Sequence, residues 1–559
     1  MVNVKNLFGM AVMATALVGC SSSDDLTPNG NEGNQTGEAY ASFRINLPTT
    51  SGTRAVDPNT GTEFDGGTAA EYEVKNGTIL IFDASTDKFV TSAELGTMNP
   101  WTDVKTNGVT TSAIATVKLS NVTVGGNYNA LVLLNNDVDA ATKKVTLPTT
   151  TETYAAWSKA FDKVNAEKYA STDCIFMANA PMYTGTTTEP TTLVKINNVC
   201  ASPEEAQAKA ATVVYVERGL AKVTMKDFTA GGYPIGDGTY AGAKVEIKNW
   251  QLDVTNKSTF PVHQTAGLNS WSEIWNTPRF YDGTNATFKR VYWGLDPNYD
   301  KATYQTLENC KTAFNMIKKE NVVGLAGVAN PQYCLENTFD LNNMKQGQTT
   351  RVVFKAVFTP KGITTGETFY KIGNNTAIWT EERLKQQIRT VALTAMRITN
   401  ADEQDKYGVD LTKGTNISGK AGQHLVEAAN ITYSGDAASS KVTGEVVNTI
   451  NEKLGLSAEV GISTYLNGEA YYIARIKHFN ELTPWTAGQA YGTNNASFLG
   501  RYGVLRNNWY DLSVTSVSGL GYPDVPEVKP TLPDDENDQY VNVEVKILSW
   551  AKRSQQIKL

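Results

Sequence analysis

The sequence predicts an all-β protein: two β-sandwich domains in series, a few helical insertions and a C-terminal donor strand. Three observations predict it. Gly (45) and Tyr (25) are plentiful and Thr is abundant throughout, a mix that favours strands and turns over long helices. Short runs of alternating apolar and polar residues recur along the chain, the period of half-buried strands. Stretches with helical spacing are few, and 559 residues are too many for one ordinary core.

The first twenty residues read as a targeting segment. Lys5 supplies a positive charge, and residues 7–17 (LFGMAVMATAL) form an apolar run too short to span a bilayer. Leu17-Val18-Gly19-Cys20 then reads as a bacterial lipobox, with the Cys20 thiol accepting the lipid. The polar, Gly- and Asn-rich residues that follow form a tether, which together with the first strand makes up residues 21–54.

Residues 39–47 (AYASFRINL) place Ala41, Phe43, Ile45 and Leu47 on one face and Tyr40, Ser42, Arg44 and Asn46 on the other. The polar, turn-rich PTTSGTR run ending at Arg54 should be exposed. Strands are expected at 74–82, 113–119 and 129–134, and a long one at 213–225 (VVYVERGLAKVTM). Residues 203–210, polar and Ala-rich, are expected to be helical. The first sandwich is therefore placed at 55–210 and the second at 211–522. In the second, strands are expected at 245–254, 349–359, 471–476 and 509–517. Helices are expected at 153–166 (Trp157, Phe161, Val164) and 380–393 (Leu384, Ile388), as insertions covering sheet faces or ends.

Residues 523–559 begin with Pro523, Pro526, Pro530 and Pro533 and the acidic DDEND run at 534–538. Such a linker is expected to be stiff, reaching roughly 50 Å at about 3.1 Å per residue. Residues 540–550 (YVNVEVKILSW) follow, with Val541, Val543, Val545 and Ile547 on one face. Cleavage at Arg54, between Arg54 and Ala55, would release the 39–47 strand and leave a groove with unpaired backbone groups. The 541–547 strand has the pattern to fill it in another subunit.

Over its whole length the chain carries a further set of runs in order: the lipobox at Cys20, the Arg54-Ala55 junction, VERGLAKV at 216–223, WGLDPNY at 293–299, YCLEN at 333–337, VLRNNWY at 504–510 and the tail from Val541 to Leu559. In these it resembles the fimbrillins of Bacteroidales, most closely the major (stalk) subunit of the short, or minor, fimbria. The resemblance implies two transthyretin-like sandwich domains, export as an outer-membrane lipoprotein and cleavage by an arginine-specific protease. It also implies assembly by strand exchange with identical subunits, alongside anchor and tip subunits, in a fibre that supports adhesion and biofilm formation. The tail, which anchor and tip subunits lack in that family, assigns the chain to the stalk.

Other chemistry is set aside. A net charge of −7 lacks the basic stripe that a nucleic-acid binder needs. His263, His424 and His478 are scattered without metal-ligand spacing, so no metal or cofactor is expected. Glu381-Glu382 is expected in the first turn of a helix capped by Thr380 rather than as an acid/base pair. The glycines at 231–232 and 236–238 read as a turn, and residues 57–67 lack the EF-hand spacing. No catalytic constellation is found. Cys174, Cys200, Cys310 and Cys334 admit three disulfide connectivities, with spacing favouring Cys174–Cys200 and Cys310–Cys334; four buried thiols are the alternative. The rival reading, a lipid-anchored glycan-binding sandwich, accounts for the aromatics and the export signal but not for the tail.

Overall fold

The computed structural model describes residues 36–47, 67–96, 112–136, 144–161, 169, 174–183, 190–265, 289–291, 293–322, 331–478, 498–534 and 541–549. They are mostly sheet, with few helices. No described helix is long and apolar enough to cross a membrane.

The first sheet is built from β1 (Thr36–Asn46), β2 (Gly77–Asp83), β3 (Phe89–Glu94), β4 (Ser112–Thr123), β5 (Tyr128–Leu134), β6 (Met177–Asn179), β7 (Val194–Lys195) and β8 (Thr212–Arg218). Its order is β3-β2-β5-β6-β8-β1-β4, with β7 beside β5. The end strands β3 and β4 lie against each other, so the sheet curls around its own core. The alternation in β4 and β5 fills that core: Val117, Leu119, Ala130, Val132 and Leu134 point inward with Ile79, Ile81 and Val216.

The second domain pairs two sheets across a shared core. One holds β9 (Ala221–Met225), β12 (Gln332–Cys334), β15 (Asn508–Val517) and β16 (Val541–Ser549) in the order β12-β9-β15-β16. The other holds β10 (Tyr233–Pro234), β11 (Lys244–Asp253), β13 (Arg351–Thr359) and β14 (Glu469–Arg475) in numerical order. Val223, Met225, Tyr510 and Leu512 from the first meet Trp250, Phe354 and Tyr472 from the second.

The expected single strand at 213–225 is two strands in two sheets: β8 closes the first sheet and β9 opens the second. The break falls at Gly219, where a Cβ would meet the rings of Phe176 and Tyr169 at 2.9 Å, so only glycine lets the backbone pass. The expected boundary at 210/211 thus has β8 on its far side, still paired within the first sheet.

The helix expected at 153–166 is the short α1 (Tyr154–Ser158), capped by Thr153; Val164 lies outside the described residues. The helix at 203–210 is α2 (Pro203–Ala208), capped by Ser202 with Pro203 in its first turn. The helix expected at 380–393 is α3 (Glu381–Ala395). Thr380 accepts from the Arg383 N–H, and Glu381 and Glu382 sit in the first turn, where negative charge is favoured. α3 does not cover a sandwich face. With α4 (Gly444–Lys453) and the strands Phe369–Ile372 and Ile462–Tyr465 it forms a module with its own core of Leu384, Ile388, Ile450 and Ile462, inserted between β13 and β14.

The proline-rich stretch is not a free spacer over its described part. Val525 and Val528 are buried, Arg351 donates to the Pro526 carbonyl at 2.7 Å, and Thr349 donates to the buried Asp534 carboxylate at 2.9 Å. Proline cannot donate to a ladder, but its carbonyl still accepts, and the buried valines hold the segment on the second domain.

Candidate strand-exchange groove

β1 lies inside the first sheet. It pairs antiparallel with β4 over eleven residue pairs, and parallel with β8 from Phe43 to Asn46. The Tyr40 N–H donates to the Cys200 carbonyl at 2.9 Å, and the Cys200 N–H returns a bond at 2.8 Å. Ala39, Ala41, Phe43 and Ile45 have no exposed surface and Leu47 has 4%. The three large side chains alone contribute roughly 5–9 kcal/mol to the sheet's core.

The expected polar face is only partly wet. Arg44 is exposed, but Ser42 and Asn46 are buried, and the Ser42 hydroxyl bonds the Thr116 hydroxyl at 2.8 Å. α2 packs beside β1 and β4. At the other end Arg44 stands between Ile114 and Val213, aliphatics that are 50% and 39% exposed. Removing β1 would therefore strip two strands of their ladder partner and open an apolar trench through the middle of a domain.

β16 runs antiparallel along β15. Val541, Val543, Val545 and Ile547 stand opposite Val517, Val514, Leu512 and Tyr510, with a bulge between Val514 and Ser516. The strand expected at the end of an arm is thus an edge strand of its own second domain. Cys20, Arg54 and Ala55 lie outside the described residues.

Residues 463–556 match the family model described as major fimbrial subunit protein type IV, fimbrillin, C-terminal. The C-terminal region is fimbrillin-like. It spans β14, β15, the proline-rich segment and β16. No curated protein matches the chain. Among solved structures, a putative cell adhesion protein from Parabacteroides distasonis is 10% identical and covers 93% of this chain and 99% of its own, with a TM-score of 0.40. The C-terminally truncated tip fimbrial protein Mfa3 from Porphyromonas gingivalis is 10% identical, with coverages of 91% and 100% and a TM-score of 0.29. At these TM-scores the likeness carries no argument.

Three residues of the fimbrillin-like region, Arg506, Asn507 and Trp509, also enter a polar seam between the two domains, which the sequence reading missed. Glu71, in the helical turn Ala69–Tyr72 that leads into β2, is buried against Lys222 of β9 (2.8 Å) and accepts from the Tyr333 hydroxyl. Lys222 sits 3.6 Å from the centre of the Trp509 ring. Arg218 donates to the Glu71 carbonyl at 2.7 Å, and its N–H to the Asn507 side chain at 3.1 Å. Asn507 holds a left-handed backbone (φ 60°), which asparagine tolerates, and its own N–H reaches the Leu220 carbonyl. Glu336 pairs with Arg506 at 3.0 Å, and Glu217 with His263 at 2.8 Å. The runs 216–223, 333–337 and 504–510 thus converge on one joint.

Burial pushes the Glu71 carboxyl up, but the Lys222 charge and the hydrogen bonds from Lys222 and Tyr333 outweigh it and hold the group below its ordinary value. Burial, and then the bond to Glu71, pushes the Tyr333 hydroxyl up. In the 293–299 run, burial pushes Asp296 up to about 7 even though the Thr338 and Asn298 N–H groups both donate to it.

All four cysteines are buried thiols in the structure, the second of the two alternatives left open by their spacing. Cys310 packs with Val254, Phe314 and Val528, while Cys334 packs in the sandwich core, so these two belong to different clusters. Burial pushes their thiols up to about 11 and about 12. Cys174 lies 3.9 Å from the Lys144 ammonium, and Cys200 has its backbone on Tyr40. His478 bonds the Tyr510 hydroxyl at 2.8 Å, and burial holds His424 below its ordinary value. Among the described residues no group of three or more His, Cys, Asp or Glu is placed to hold a metal ion. Of the 57–67 run only Gly67 is described.

Proposed function

We propose that the chain is the structural stalk subunit of a surface fimbria. It is exported as an outer-membrane lipoprotein through Cys20, cut between Arg54 and Ala55 by an arginine-specific protease, and polymerised by strand exchange into a fibre that supports adhesion. The carrying observation is the place of β1. It is an inner strand whose core-facing side is fully buried, yet its chain reaches Arg54 seven residues after Leu47. A cut there severs β1 from the rest of its domain and leaves only non-covalent contacts to hold it. The fimbrillin-like match supports the fibre role and the alternating tail supports the donor role. The two domains are proposed to be transthyretin-like sandwiches, divided near residues 210–219 and followed by the 523–559 segment.

The glycan-binding alternative draws no support from Trp157, Trp250 and Trp293, which are fully buried and offer no face for a sugar. The test is Arg54→Ala. The variant should accumulate as a folded precursor with β1 in place and form no long fibres in electron micrographs. Abundant fibres from soluble Arg54→Ala protein would refute the reading.

A further inference from the structure

We propose that the strand filling the β4–β8 groove in the fibre is residues 543–551 of a second copy of this chain, running opposite to the β1 it replaces. This rests on the strand-exchange reading above and adds a polarity and a register to it.

The groove is graded in width. Along β1 the inward side chains are small, small, large, large and large: Ala39, Ala41, Phe43, Ile45 and Leu47, all buried. β4 is graded the other way. Leu119 and Val117 stand opposite the two alanines, and Ala115 and Ala113 opposite Phe43 and Ile45. The trench is therefore narrow where β1 begins and wide where it ends. Protein cores punish added volume as well as lost volume, so an occupant must follow the same gradation.

The tail follows it when read backwards. Ala551, Ser549, Ile547, Val545 and Val543 fall in the places of Ala39, Ala41, Phe43, Ile45 and Leu47. Read forwards, Gln539 and Val541 fall in the places of Ala39 and Ala41. That buries an amide at a site with no exposed surface and sets a valine against Val117.

The outward positions point the same way. Reversed, Lys546 takes the place of Arg44, so a cation follows a cation; the place of Tyr40 takes an aromatic in either direction, Trp550 reversed and Tyr540 forward. A lysine stem can cover the exposed Ile114 and Val213 as an arginine stem can. Forward, Glu544 would stand at that position. The reversed register has three costs: Leu548 replaces Ser42 and ends its bond to Thr116, Glu544 takes the place of the buried Asn46, and Lys552 replaces Glu38 beside the solvent-exposed Lys118. Its pairing with β8 becomes antiparallel, the slightly stronger ladder, and that with β4 parallel.

Cysteine pairs separate the polarities. Val545 falls opposite Ala113 in either direction, whereas Ser549 falls opposite Val117 only when reversed and Val541 only when forward. Cleaved subunits carrying A113C with V545C, V117C with S549C, or V117C with V541C are assembled, oxidised and run on denaturing gels, with the single-cysteine chains as controls for the native thiols. The expected result is a covalent ladder from the first and second pairs and none from the third. A ladder from the first and third pairs but not the second overturns the polarity and leaves strand exchange standing. Fibres that give no ladder from any of the three pairs overturn the register and this inference; strand exchange itself falls only if subunits in those fibres still hold residues 36–47 in the groove.

Discussion

Individual residues set the joint between the two domains. Lys222 is an ammonium with 3% of its surface exposed, and the Glu71 carboxylate neutralises it. Glu71→Gln keeps the shape but removes the carboxylate that faces the buried cation. Breaking a buried pair from one side costs about 3 kcal/mol or more. Because Glu71 is held below its ordinary value of 4.5, its stabilisation is present above that pH and lost as the pH falls through the folded value. Thermal melts from about pH 3 to pH 7 should show Glu71→Gln melting well below the parent at neutral pH, with the gap narrowing toward the acid end. Equal melts at neutral pH would show that the seam does not depend on the ion pair. The seam left a trace in the sequence that went unused: Glu217, Arg218 and Lys222 interrupt an otherwise apolar run, and buried charges of that kind need partners. What no spacing rule supplies is that the partners come from residues 71, 263, 333 and 507.

At the scale of the element, strands were the most legible part of the chain, because period two is written locally. β1, β4, β5, β11, β13, β15 and β16 were all expected within a few residues of their bounds. The proline-rich segment was misread as a free arm because its holders, Arg351 and Thr349, lie far away in sequence and only the fold brings them near. The inserted module was missed as a unit for the same reason: α3 and α4 share a core only after the 48 residues between Ala395 and Gly444 have turned back. The pairing of β16 with β15 also changes what deletion of residues 541–559 should do. It should still abolish fibres, but it removes nine residue pairs from β15 and should lower the melting temperature of the second domain by several degrees, at about 2–4 °C per kcal/mol. A truncated chain that melts with the parent would mean that β16 contributes nothing to its own subunit. Within the strand, Val543→Asp should block polymerisation by placing an unpaired carboxylate on the inward face, while Glu544→Gln should leave it within about twofold. Similar fibre yields from the two variants, compared by electron microscopy, would contradict the assigned face.

For the whole molecule, the arrangement separates two tasks. The seam and the second domain hold the subunit together through contacts that do not involve β1, while β1 closes the first sheet and, on the proposed reading, would be released by a cut at Arg54. The chain between the pinned Asp534 and Val541 is only six residues, about 20 Å when extended, so a neighbouring groove must come within that distance once β16 leaves β15. The most direct measurement is mass analysis of subunits in washed fibres. The account predicts chains that begin at Ala55, with no peptide from residues 36–47 retained. Fibres whose subunits still carry that segment, covalently joined or lodged in the groove, would contradict it.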